Sequence, residues 1–568
     1  MHGRVVRVLL FAAVALAVRR PPELLAEDGG CKCFPGDACW PGHSDWDRLN
    51  STVGGRLIAT TPLGSPCHDP HYNETECANL QKKWLYSAVH MESSSSVMAP
   101  LFANQSCDPF QPRSSPCTLG NYVRYAVDVR SPQDVAATLT FASRHRIRLV
   151  VRNTGHDYNG RSTGAGALAV WTHHMKDSAV IDWADRHYIG KALRVGAGVQ
   201  GFEALAEARK HGRVVVTGEC PTVGLAGGYT QGGGHSALST ARGLAADNVL
   251  SYEVVTASGK HVRASRAENS DLYWALSGGG GGNYGVVVSM TVRAHPDAKV
   301  SGASFAITAP ENSTSLYDAI DLFHEALPGM VDSGAMVIYY FGAGFLQMAA
   351  LTLFGKSTEE TEKVLKPFID AASAKGFVVK PNYTEFESYY DHYAHYWGPL
   401  PAGNIQVGTQ LFGGRLIPRH ALTHFSPTAR ELVSMGVTFI GVGLDVSRFG
   451  REKAAAVLPQ WRQTLVHASL TMPWSFDAPF EEMVAEQNRM TREVQPVIEA
   501  ATPGAGAYMN EADFQQPDFQ ETFFGANYDR LLRIKKKYDP NGLFYATAGV
   551  GSEEWTVKKD GRLCRAHR

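Results

Sequence analysis

The placement of cysteine is the feature that most constrains how this chain of 568 residues can fold. Seven of its nine cysteines lie between residues 31 and 117, and the other two are Cys220 and Cys564. Without Cys220 the number is eight, and a set of disulfide bonds requires an even number. Cys564 is predicted to pair with the cluster at 31–39, which would fix the C-terminus beside the N-terminal region. The pairs predicted to close short loops are Cys67–Cys77 and Cys107–Cys117.

The N-terminus has the pattern of a secretory signal peptide. Basic residues precede an apolar run from Val8 to Val18, which is too short for a membrane span of about 20 residues. We predict a signal peptide over residues 1–26; its cut site stays open because Arg19 and Arg20 follow the run directly. The alternative is an N-terminal anchor or a poorly ordered arm. No later stretch predicts a membrane span.

Two further patterns agree with export. Asn-x-Ser/Thr triplets can accept N-glycans in a secreted protein. Zinc binding is the other common use of clustered cysteines, but no Cys-x₂-Cys pair is matched by a second one. A secreted glycoprotein with disulfide bonds is therefore predicted. The predicted glycan positions are Asn50, Asn73, Asn104, Asn312 and Asn382.

Composition excludes two classes of protein. Hydrophobic residues make up 44% of the chain and charged residues 19%, which argues against intrinsic disorder. The 54 Lys and Arg residues are balanced by 55 Asp and Glu residues. A nucleic-acid partner is not expected, because phosphate binding needs a strongly basic face.

The hydrophobic pattern divides the chain into segments. Residues 27–120 are rich in Cys, Pro and Ser and are predicted to be irregular. A strand, a helix and a strand follow one another within 125–152, as in a βαβ unit. Residues 248–265 are predicted to form a hairpin that pairs with a strand at 283–296. A short strand is also predicted at 213–218.

The composition changes again near residue 300. Strands and amphipathic helices alternate over 301–504, which predicts a second domain after a first one at 121–300. The last segment, 505–568, contains an amphipathic helix at 527–540.

Three glycine-bearing segments carry the functional signal. Residues 152–162 follow a buried strand, where free backbone N–H groups can converge on an anion. Residues 218–235 contain seven glycines, which would let the backbone lie flat against a planar ligand, and 277–285 form a third such loop. Taken singly, the first segment also fits a polar turn and the others a flexible linker. Strand-forming sequence on both sides argues against linkers.

Five motifs occur in order along the chain: Arg152-Asn-Thr-Gly-His156, Cys220-Pro-Thr-Val-Gly, Gly227-Gly-Tyr-Thr-Gln-Gly-Gly-Gly, Asn527-Tyr-Asp-Arg-Leu and Tyr538-Asp-Pro-Asn-Gly-Leu-Phe. Together they resemble the berberine-bridge-enzyme-like branch of the vanillyl-alcohol-oxidase (VAO) flavoproteins, in particular its secreted fungal isoamyl-alcohol-oxidase-like members. The resemblance covers about 121 to 555. It implies an α+β fold with a PCMH-type FAD-binding domain in two parts, 121–300 and 505–555. The domain between them, 301–504, would bind substrate with an antiparallel sheet covered by helices.

The resemblance also implies how FAD is held. His156 matches the histidine bonded to the 8α-methyl carbon of the flavin, and Cys220 matches the cysteine bonded to carbon 6. The residues implied to hold the pyrophosphate are Arg152, Asn153, Thr154, Gly155, Asn159, Gly160, Arg161 and Ser162. Those implied to lie along the isoalloxazine are Thr222, Val223, Gly227, Gly228, Gly232 and Gly233, with Gly285 and Val286 near the adenine.

Two positions in the second glycine segment bear on the reaction. Val223 matches the family's oxygen gate, where a small residue lets oxygen reach the flavin and so favours an oxidase. Tyr229 departs from the plant members, which carry histidine there, so plant-type side-chain roles do not transfer to this loop.

The family resemblance also suggests catalytic residues. Residues 508–513 resemble its Tyr-x-Asn-x-x-Asp element, so Tyr508 or a nearby partner is the expected base and Asn510 is expected to place flavin or substrate. Their alternative is a buried aromatic with a satisfied amide. Tyr158 is expected on the substrate side. Gln410 and His235 are further candidates for the pocket, with a structural role equally open for His235.

The sequence therefore predicts a secreted FAD-linked oxidase that transfers a hydride from an alcohol or secondary-metabolite carbon to bicovalently bound FAD and passes electrons to oxygen. A monomer is expected. One alternative is a carbohydrate oxidase, with the aromatic run at 389–397 as a sugar-stacking surface. The other is a flavin-carrying binding protein without turnover. No metal site is predicted, because His173-His174 lacks a carboxylate at ligand spacing.

Overall fold

The cysteine-rich N-terminal region is tied to the C-terminus in the computed structural model, which describes residues 30–309, 314–450 and 454–566. Cys564 bonds Cys31, as the sequence predicts, and a second disulfide joins Cys33 to Cys39. Both short loops are also confirmed: Cys67 bonds Cys77, and Cys107 bonds Cys117. The predicted signal peptide and Asn312 lie outside the described residues.

The N-terminal region is less irregular than predicted. Its α-helices are His43–Thr52, Glu74–Lys83, Ser87–Met91 and Pro100–Ala103. The second of them begins at a side-chain cap, because Asn73 Oδ1 accepts a hydrogen bond from the backbone N–H of Glu76.

A four-stranded sheet follows. Its strands are β1 (Leu57–Ala59), β2 (Tyr125–Asp128), β3 (Leu149–Arg152) and β4 (Leu168–Trp171). β2 and β3 both pair in parallel with β4, which lies between them. The predicted βαβ unit is therefore present, but a later strand separates its two strands. Its helix, Pro132–Arg144, begins in a capping box between Ser131 and Asp134.

The next strands form a five-stranded antiparallel sheet and a short ribbon. The strands are β5 (Ser178–Ala184), β6 (Ile189–Gly196), β7 (Arg213–Val214), β8 (Val249–Val255), β9 (His261–Ser265), β10 (Val286–Arg293) and β11 (His295–Pro296). The sheet order is β5-β6-β10-β8-β9, whereas β7 pairs with β11. The predicted hairpin at 248–265 and its pairing with 283–296 are confirmed. The strand predicted at 213–218 covers only the two residues of β7. The helices here are Gly201–Arg209, Ser239–Arg242 and Ser270–Leu276.

A seven-stranded antiparallel sheet occupies the region from residue 300 to 473. Its strands are β12 (Val300–Thr308), β13 (Met336–Gly342), β14 (Phe345–Phe354), β15 (Asn382–Phe386), β16 (Gln410–Pro418), β17 (Thr438–Gly443) and β18 (Thr464–Pro473). They lie in the order β15-β12-β14-β13-β17-β18-β16. The accompanying helices are Thr314–Asp332, Thr358–Ala374, Tyr389–Trp397, Arg419–Leu422, Ser426–Ser434, Phe480–Arg489 and Gln495–Ala501.

Buried aromatic rings join two of these helices to one face of the large sheet. Phe323 and Phe368 come from different helices, and both pack on Phe305 of β12. Burying three such rings stabilises the contact by several kcal/mol, at roughly 25 cal/mol per Å² of apolar surface. This packing fixes the position of the opposite face, which carries part of the site described below.

The C-terminal segment returns to the first sheet. Its elements are the helix Tyr528–Tyr538 and strands β19 (Trp555–Val557) and β20 (Leu563–Arg565). Lys535 is buried in this helix, pairs with Asp539 at 2.8 Å and donates to the carbonyls of Asn283 and Phe544. Because Phe544 also bridges to Leu149 in β3, the segment is anchored between the glycine loops and the sheet. Among the described residues, no helix combines the length and apolar character needed to cross a membrane.

Candidate active site

A cleft of about 1400 Å³, counting its open mouth, is lined by all three glycine-bearing segments and by Tyr508, Asn510 and Glu511. The loop after β3 supplies one wall, the loop after β7 supplies a second, and the C-terminal segment crosses between them. Ile405 and Val407 add apolar surface. Segments that are hundreds of residues apart therefore meet at one cavity.

His156 and Cys220 lie side by side in this cleft. The distance from His156 Nε2 to Cys220 Sγ is 3.9 Å. Thr222 Oγ1 is close to both atoms, 2.8 Å from the imidazole nitrogen and 3.4 Å from the sulfur. Thr222 in turn contacts Ser87 Oγ at 2.9 Å, which links the pair to the N-terminal region.

Burial dominates the protonation of these two nucleophiles. Burial, together with the positive charge of Arg152, lowers the pKa of His156 to about 4, so its imidazole is neutral near pH 7. Burial raises the pKa of the Cys220 thiol, although hydrogen bonds with Thr222 oppose this effect. Both side chains are therefore neutral in the protein without cofactor.

The loop after β3 depends on glycine. Gly155 has a φ of +88°, and a Cβ there would lie 2.6 Å from the guanidinium of Arg152. A Cβ on Gly232 would lie 2.5 Å from the Asn510 amide nitrogen. A side chain at Gly155 would therefore displace Arg152, and one at Gly232 would displace the Asn510 amide.

Unpaired polar atoms show what the cleft can hold. Six buried side-chain atoms on its wall have no hydrogen-bond partner within the described residues: Arg161 Nη2, Asn153 Oδ1, Asn159 Oδ1, Gln231 Oε1, Glu219 Oε1 and His235 Nδ1. Unpaired buried donors and acceptors are costly, so they favour a ligand with many polar groups. A long cleft with a basic group, amides and flat glycine backbone fits a dinucleotide such as FAD.

A second group of side chains lies on the wall formed by the C-terminal segment and the large sheet. Glu511 accepts from His235 Nε2 at 3.1 Å through Oε1, and from His467 Nε2 at 2.8 Å through Oε2. His235 Nδ1 lies 3.3 Å from Glu219 Oε2, a charge contact rather than an aligned hydrogen bond. His467 belongs to β18. We call these four residues the carboxylate–histidine cluster.

Charge dominates the protonation of this cluster. Burial acts to lower the pKa of His235, but Glu219 and Glu511 outweigh it and hold that pKa well above the ordinary value. Burial acts to raise the pKa of Glu511, but the charge of His235 and hydrogen bonds from both histidines hold it well below the ordinary value. Burial lowers the pKa of His467. Near pH 7 Glu511 is therefore a carboxylate, His235 an imidazolium and His467 a neutral imidazole.

The rings of Tyr508 and Tyr158 complete this wall. Tyr508 is buried, packs edge-on against His235 and His467, and accepts a hydrogen bond from the Asn510 amide at 2.9 Å. Burial and the negative charge of Glu511 raise the pKa of Tyr508, so its hydroxyl stays protonated near pH 7. Tyr158 stacks on Phe412 with ring centroids 4.0 Å apart.

Known proteins resemble this chain in sequence, both in two domain families and over nearly the whole length of several relatives. Residues 123–265 match the FAD binding domain model, and residues 507–551 match the berberine and berberine-like model. The chain is 51% identical over 559 residues to the FAD-linked oxidoreductase ZEB1 of Gibberella zeae, with 98% of both chains covered. It is 43% identical over 553 residues to the VAO-type flavoprotein oxidase VAO615 of Thermothelomyces thermophilus, which covers 94% of this chain and 95% of that one.

This chain is a berberine-bridge-enzyme-like, VAO-type FAD-linked oxidoreductase. The crystal structure of MtVAO615 from Myceliophthora thermophila C1 matches it with a TM-score of 0.91 and 41% identity, covering 94% of this chain and all of that one. The fold is shared more widely: a chitooligosaccharide oxidase matches with a TM-score of 0.63 at 20% identity, over 76% of this chain and 93% of that one. The α+β fold, the FAD cofactor and the oxidoreductase class predicted from sequence are thereby confirmed.

Most of the residues expected to contact FAD or substrate in this flavoprotein line the cleft. They are Asn153, Thr154, Gly155, His156, Tyr158, Asn159, Arg161, Ser162, Cys220, Val223, Gly227, Gly228, Gly285, Tyr508 and Asn510. Six expected residues do not line it: Arg152, Gly160, Thr222, Gly232, Gly233 and Val286. Of these six, Thr222 still contacts both His156 and Cys220 from behind.

Arg152 has a different environment from the one expected. Its side chain is fully buried and donates to the backbone carbonyls of His90 and Ser93, on the side of the loop away from the cleft. Arg161 is the cleft-lining arginine instead; it donates to Thr547 O and to Asn510 Oδ1. Arg152 thus shapes the loop from behind, whereas Arg161 faces the ligand space.

Sequence reasoning missed three members of the carboxylate–histidine cluster. Glu219 and Glu511 stand next to the recognised Cys220 and Asn510, and that adjacency was an available signal. His467 lies within a buried strand and has no local signal. Gln410, proposed for the pocket, does not line the cleft, although Phe412 two residues later contacts Tyr158. His174, thought to lack a carboxylate, pairs with Asp128 Oδ1 at 2.9 Å.

Proposed function

We propose that this flavoprotein is a secreted oxidase in which FAD is bonded to both His156 and Cys220. It oxidises an alcohol carbon of a small secondary metabolite and uses oxygen to form hydrogen peroxide. The observation that carries the proposal is the 3.9 Å separation of the two nucleophilic side chains at one point of the cleft. A glucooligosaccharide oxidase from Acremonium strictum, 21% identical, is described by name as carrying 6-S-cysteinyl, 8α-N1-histidyl FAD.

The side chains of the cleft have separable tasks in this proposal. Bound FAD would supply the acceptor for a hydride. Arg161, Asn153 and Asn159 offer unpaired polar atoms to its phosphates and sugar. Asn510 donates to both Gly228 O and Tyr508 Oη, so it holds the glycine loop against the tyrosine. Val223 lines the cleft, as an oxygen gate requires.

The aromatic and aliphatic side chains that line the cleft favour a largely apolar substrate. Tyr158, whose ring stacks on Phe412, lines the same cleft as Ile405 and Val407. A relative 40% identical over 559 residues, from Penicillium decumbens, is named a bifunctional decalin synthase. An apolar ring system carrying a hydroxyl group is therefore the substrate class that we propose.

The carbohydrate alternative loses its main sequence argument. In the helix Tyr389–Trp397, the rings of Tyr389, Tyr393 and Trp397 are buried in the core. These three rings are not available to stack on a sugar. The other two rings of the run, Tyr390 and Tyr396, are half-buried, and no residue of this helix is among those that line the cleft. A binding protein without turnover is equally disfavoured as a proposal, because the cleft retains ionisable groups at proton-transfer distances.

Export remains part of the proposal. Four disulfides in the described region support an oxidising compartment. Intact mass before and after glycosidase treatment of protein secreted by a fungal host tests the glycan positions and the signal cleavage together. Protein retained in the cells without glycans would contradict it.

The cofactor proposal is tested by flavin fluorescence on denaturing gels, with intact mass, for the wild type and for His156→Ala, Cys220→Ala and the double variant. We expect one FAD to stay on the wild type and on each single variant, and to leave only the double variant. Peroxide formation from a panel of secondary alcohols and a panel of oligosaccharides then tests the substrate class. Turnover of sugars alone would contradict the apolar-alcohol proposal.

A further inference from the structure

The carboxylate–histidine cluster lies where a proton must leave the substrate if the proposed function holds. Glu219 immediately precedes Cys220, the proposed flavin-attachment residue, and Glu511 immediately follows Asn510. Glu219, Cys220, Tyr158, His235 and Glu511 all line the same cleft. The cluster and the attachment point therefore face the same part of the cleft.

Exposure distinguishes the four members. The Glu511 side chain is 28% exposed, whereas those of His235 and His467 are 7% and 0% exposed. Glu219 is 12% exposed and lies behind His235 as seen from Glu511. Glu511 is thus the member that a ligand in the cleft reaches most easily.

The two histidines hold this carboxylate in one orientation. Each Glu511 oxygen accepts one imidazole N–H, and Ser469 Oγ adds a third contact at 3.3 Å. A carboxylate oxygen has two acceptor sites. Oε2 accepts from both His467 and Ser469, whereas Oε1 accepts only from His235, so Oε1 keeps capacity for a further hydrogen bond. A substrate hydroxyl entering the cleft can therefore donate to Glu511 without displacing either histidine.

We propose that Glu511 is the catalytic proton acceptor of this oxidase, and that His235 and His467 are positioning residues that orient its carboxylate. The inference rests on the proposed function, because it requires an alcohol substrate. Glu511 replaces Tyr508 as the expected base, because the Tyr508 hydroxyl is protonated near pH 7 and its oxygen already accepts a hydrogen bond from Asn510.

In the proposed oxidation of the alcohol, every proton and electron that leaves the substrate has an acceptor. The substrate C–H bond breaks and its electron pair leaves with the hydrogen as hydride to FAD. The O–H bond breaks, its proton passes to a Glu511 oxygen, and its electrons form the carbonyl π bond. The substrate is oxidised by two electrons. The transferred hydride and the proton held by Glu511 together supply the two hydrogens of hydrogen peroxide when oxygen accepts the electrons.

A weakly basic carboxylate is adequate for this step. An alcohol hydroxyl is too weak an acid to give its proton to Glu511 before the C–H bond breaks. As the hydride departs, the oxygen develops the character of a protonated carbonyl, which is a far stronger acid. The proton therefore moves with the hydride or just after it, and a positioned acceptor typically contributes about 10²–10⁴-fold to such a step.

A divalent metal ion is the rival explanation of the same residues. Ligand atoms of His235, His467 and Glu511 lie within 4.8 Å of one another, and two histidines with a carboxylate form a common zinc set. The hydrogen-bonded explanation is favoured because both imidazole nitrogens that face Glu511 are within hydrogen-bond distance of a carboxylate oxygen. The two explanations predict different amounts of metal bound to the purified protein.

The test uses the FAD-loaded protein and its Glu511→Gln variant. Flavin reduction is followed anaerobically by stopped flow with 1-phenylethanol, cinnamyl alcohol and cyclohexanol as probes, and metal content is measured in both proteins. Glu482→Gln, on the exposed face of the helix Phe480–Arg489, serves as the matched control. We expect Glu511→Gln to keep its FAD but to lose about 10²–10⁴-fold in reduction rate, Tyr508→Phe to lose much less, and no bound metal.

The positioning role of His467 has its own readout. In His467→Phe, which cannot donate this hydrogen bond, we expect the pKa of Glu511 to move up toward its ordinary value, so that the reduction rate falls at acidic pH where the wild-type rate stays level. The groups facing Glu511 that enter this profile are His235, His467, Glu219, Tyr508, Tyr158 and Tyr340. A purely structural role would lower the rate equally at every pH.

The outcomes separate the two proposals. If the probes reduce the wild type and Glu511→Gln reacts as fast, the inference is wrong while the proposed function stands. If FAD-loaded wild type is reduced by sugars and by none of the alcohols, the proposed function fails, and the inference fails with it. One bound metal ion per chain, lost in Glu511→Gln, overturns the proton acceptor in favour of a metal centre.

Discussion

The two ends of the cleft use histidine in opposite ways. At the attachment end, His156 contacts the Thr222 hydroxyl, and burial together with the charge of Arg152 lowers its pKa to about 4. At the proton-accepting end, His235 lies between Glu219 and Glu511, which raise its pKa well above the ordinary value. A neutral imidazole retains a lone pair for bonding to carbon, whereas an imidazolium orients carboxylates. Neighbouring charge, rather than burial alone, assigns these roles.

Removing both attachment residues should produce the largest effect and should test the attachment end alone. His156→Ala combined with Cys220→Ala is expected to abolish covalent FAD entirely, because no other nucleophile in the described cleft is placed like them. Fluorescence of the denatured protein measures this loss. The Glu511→Gln protein is the matched control and should retain its covalent FAD. Covalent flavin in the double variant would break the proposed division between the two ends.

Glu219→Gln should have the next largest effect, on stability at the proton-accepting end. The folded-state pKa of His235 lies above its unfolded value of about 6.5. Its protonation therefore stabilises the fold fully below that value, and this contribution is lost as pH rises through the folded pKa. Removing one carboxylate of a buried pair costs about 3 kcal/mol. We therefore expect the free energy of unfolding, measured with urea, to fall by that amount at pH 6 and by less at pH 9.

The control for this experiment is Glu482→Gln, which should match the wild type at both pH values. A loss in Glu219→Gln that is equal at pH 6 and pH 9 would show that His235 is not held protonated. The contrast between the two ends would then lose its electrostatic basis.

Val223→Leu should affect the reaction with oxygen and leave proton removal unchanged. Val223 lines the cleft next to the attachment loop, and a longer side chain would obstruct the approach of oxygen. We expect reoxidation of the reduced protein to slow roughly 30-fold, equivalent to about 2 kcal/mol of barrier. Stopped-flow mixing with oxygen measures this, and Val223→Ala is the control. Equal slowing of flavin reduction would contradict a gate that acts on oxygen alone.

Thr222→Val should give the smallest effect and sharpen the account of the attachment end. The substitution keeps the shape of the side chain but removes the hydroxyl that contacts His156 Nε2 and Cys220 Sγ. Loss of one such hydrogen bond costs about 1.4 kcal/mol, so flavin attachment should slow about tenfold. Time courses of covalent loading after adding FAD to apoprotein measure this. Ser87→Ala, one contact further away, should slow attachment less; a larger effect there would reverse the proposed order.

Local signals in the sequence predicted much of the fold and half of the site. Short cysteine spacings predicted the Cys67–Cys77 and Cys107–Cys117 loops. Alternating apolar residues predicted the hairpin of β8 and β9, because side chains alternate across a strand. The glycine-rich loops predicted a site for an anion and a planar ligand, and the family resemblance of their motifs implied FAD attached to His156 and Cys220.

For Arg152, the local motif predicted contacts that differ from those in the structure. The motif placed it with the phosphate-binding residues, but it is the last residue of β3 and its side chain points to the carbonyls of His90 and Ser93. The side of a strand on which a residue lies depends on register within the sheet. That register is set by pairing with β4, a strand that the βαβ pattern did not include.

By itself, the sequence determined the two short disulfide loops and the glycine-rich loops, because each depends on neighbours close in the chain. The motifs in those loops, through their family resemblance, also implied the two residues proposed to bind the flavin. Only the tertiary structure decided the proton-accepting end. Its members come from three separate parts of the chain. Glu219 and His235 lie in the second glycine-bearing segment, Glu511 lies in the C-terminal segment, and His467 lies in strand β18 of the large sheet. Their pKa values arise from charges that meet only after those segments pack, and Coulomb interaction depends on distance in space rather than along the chain.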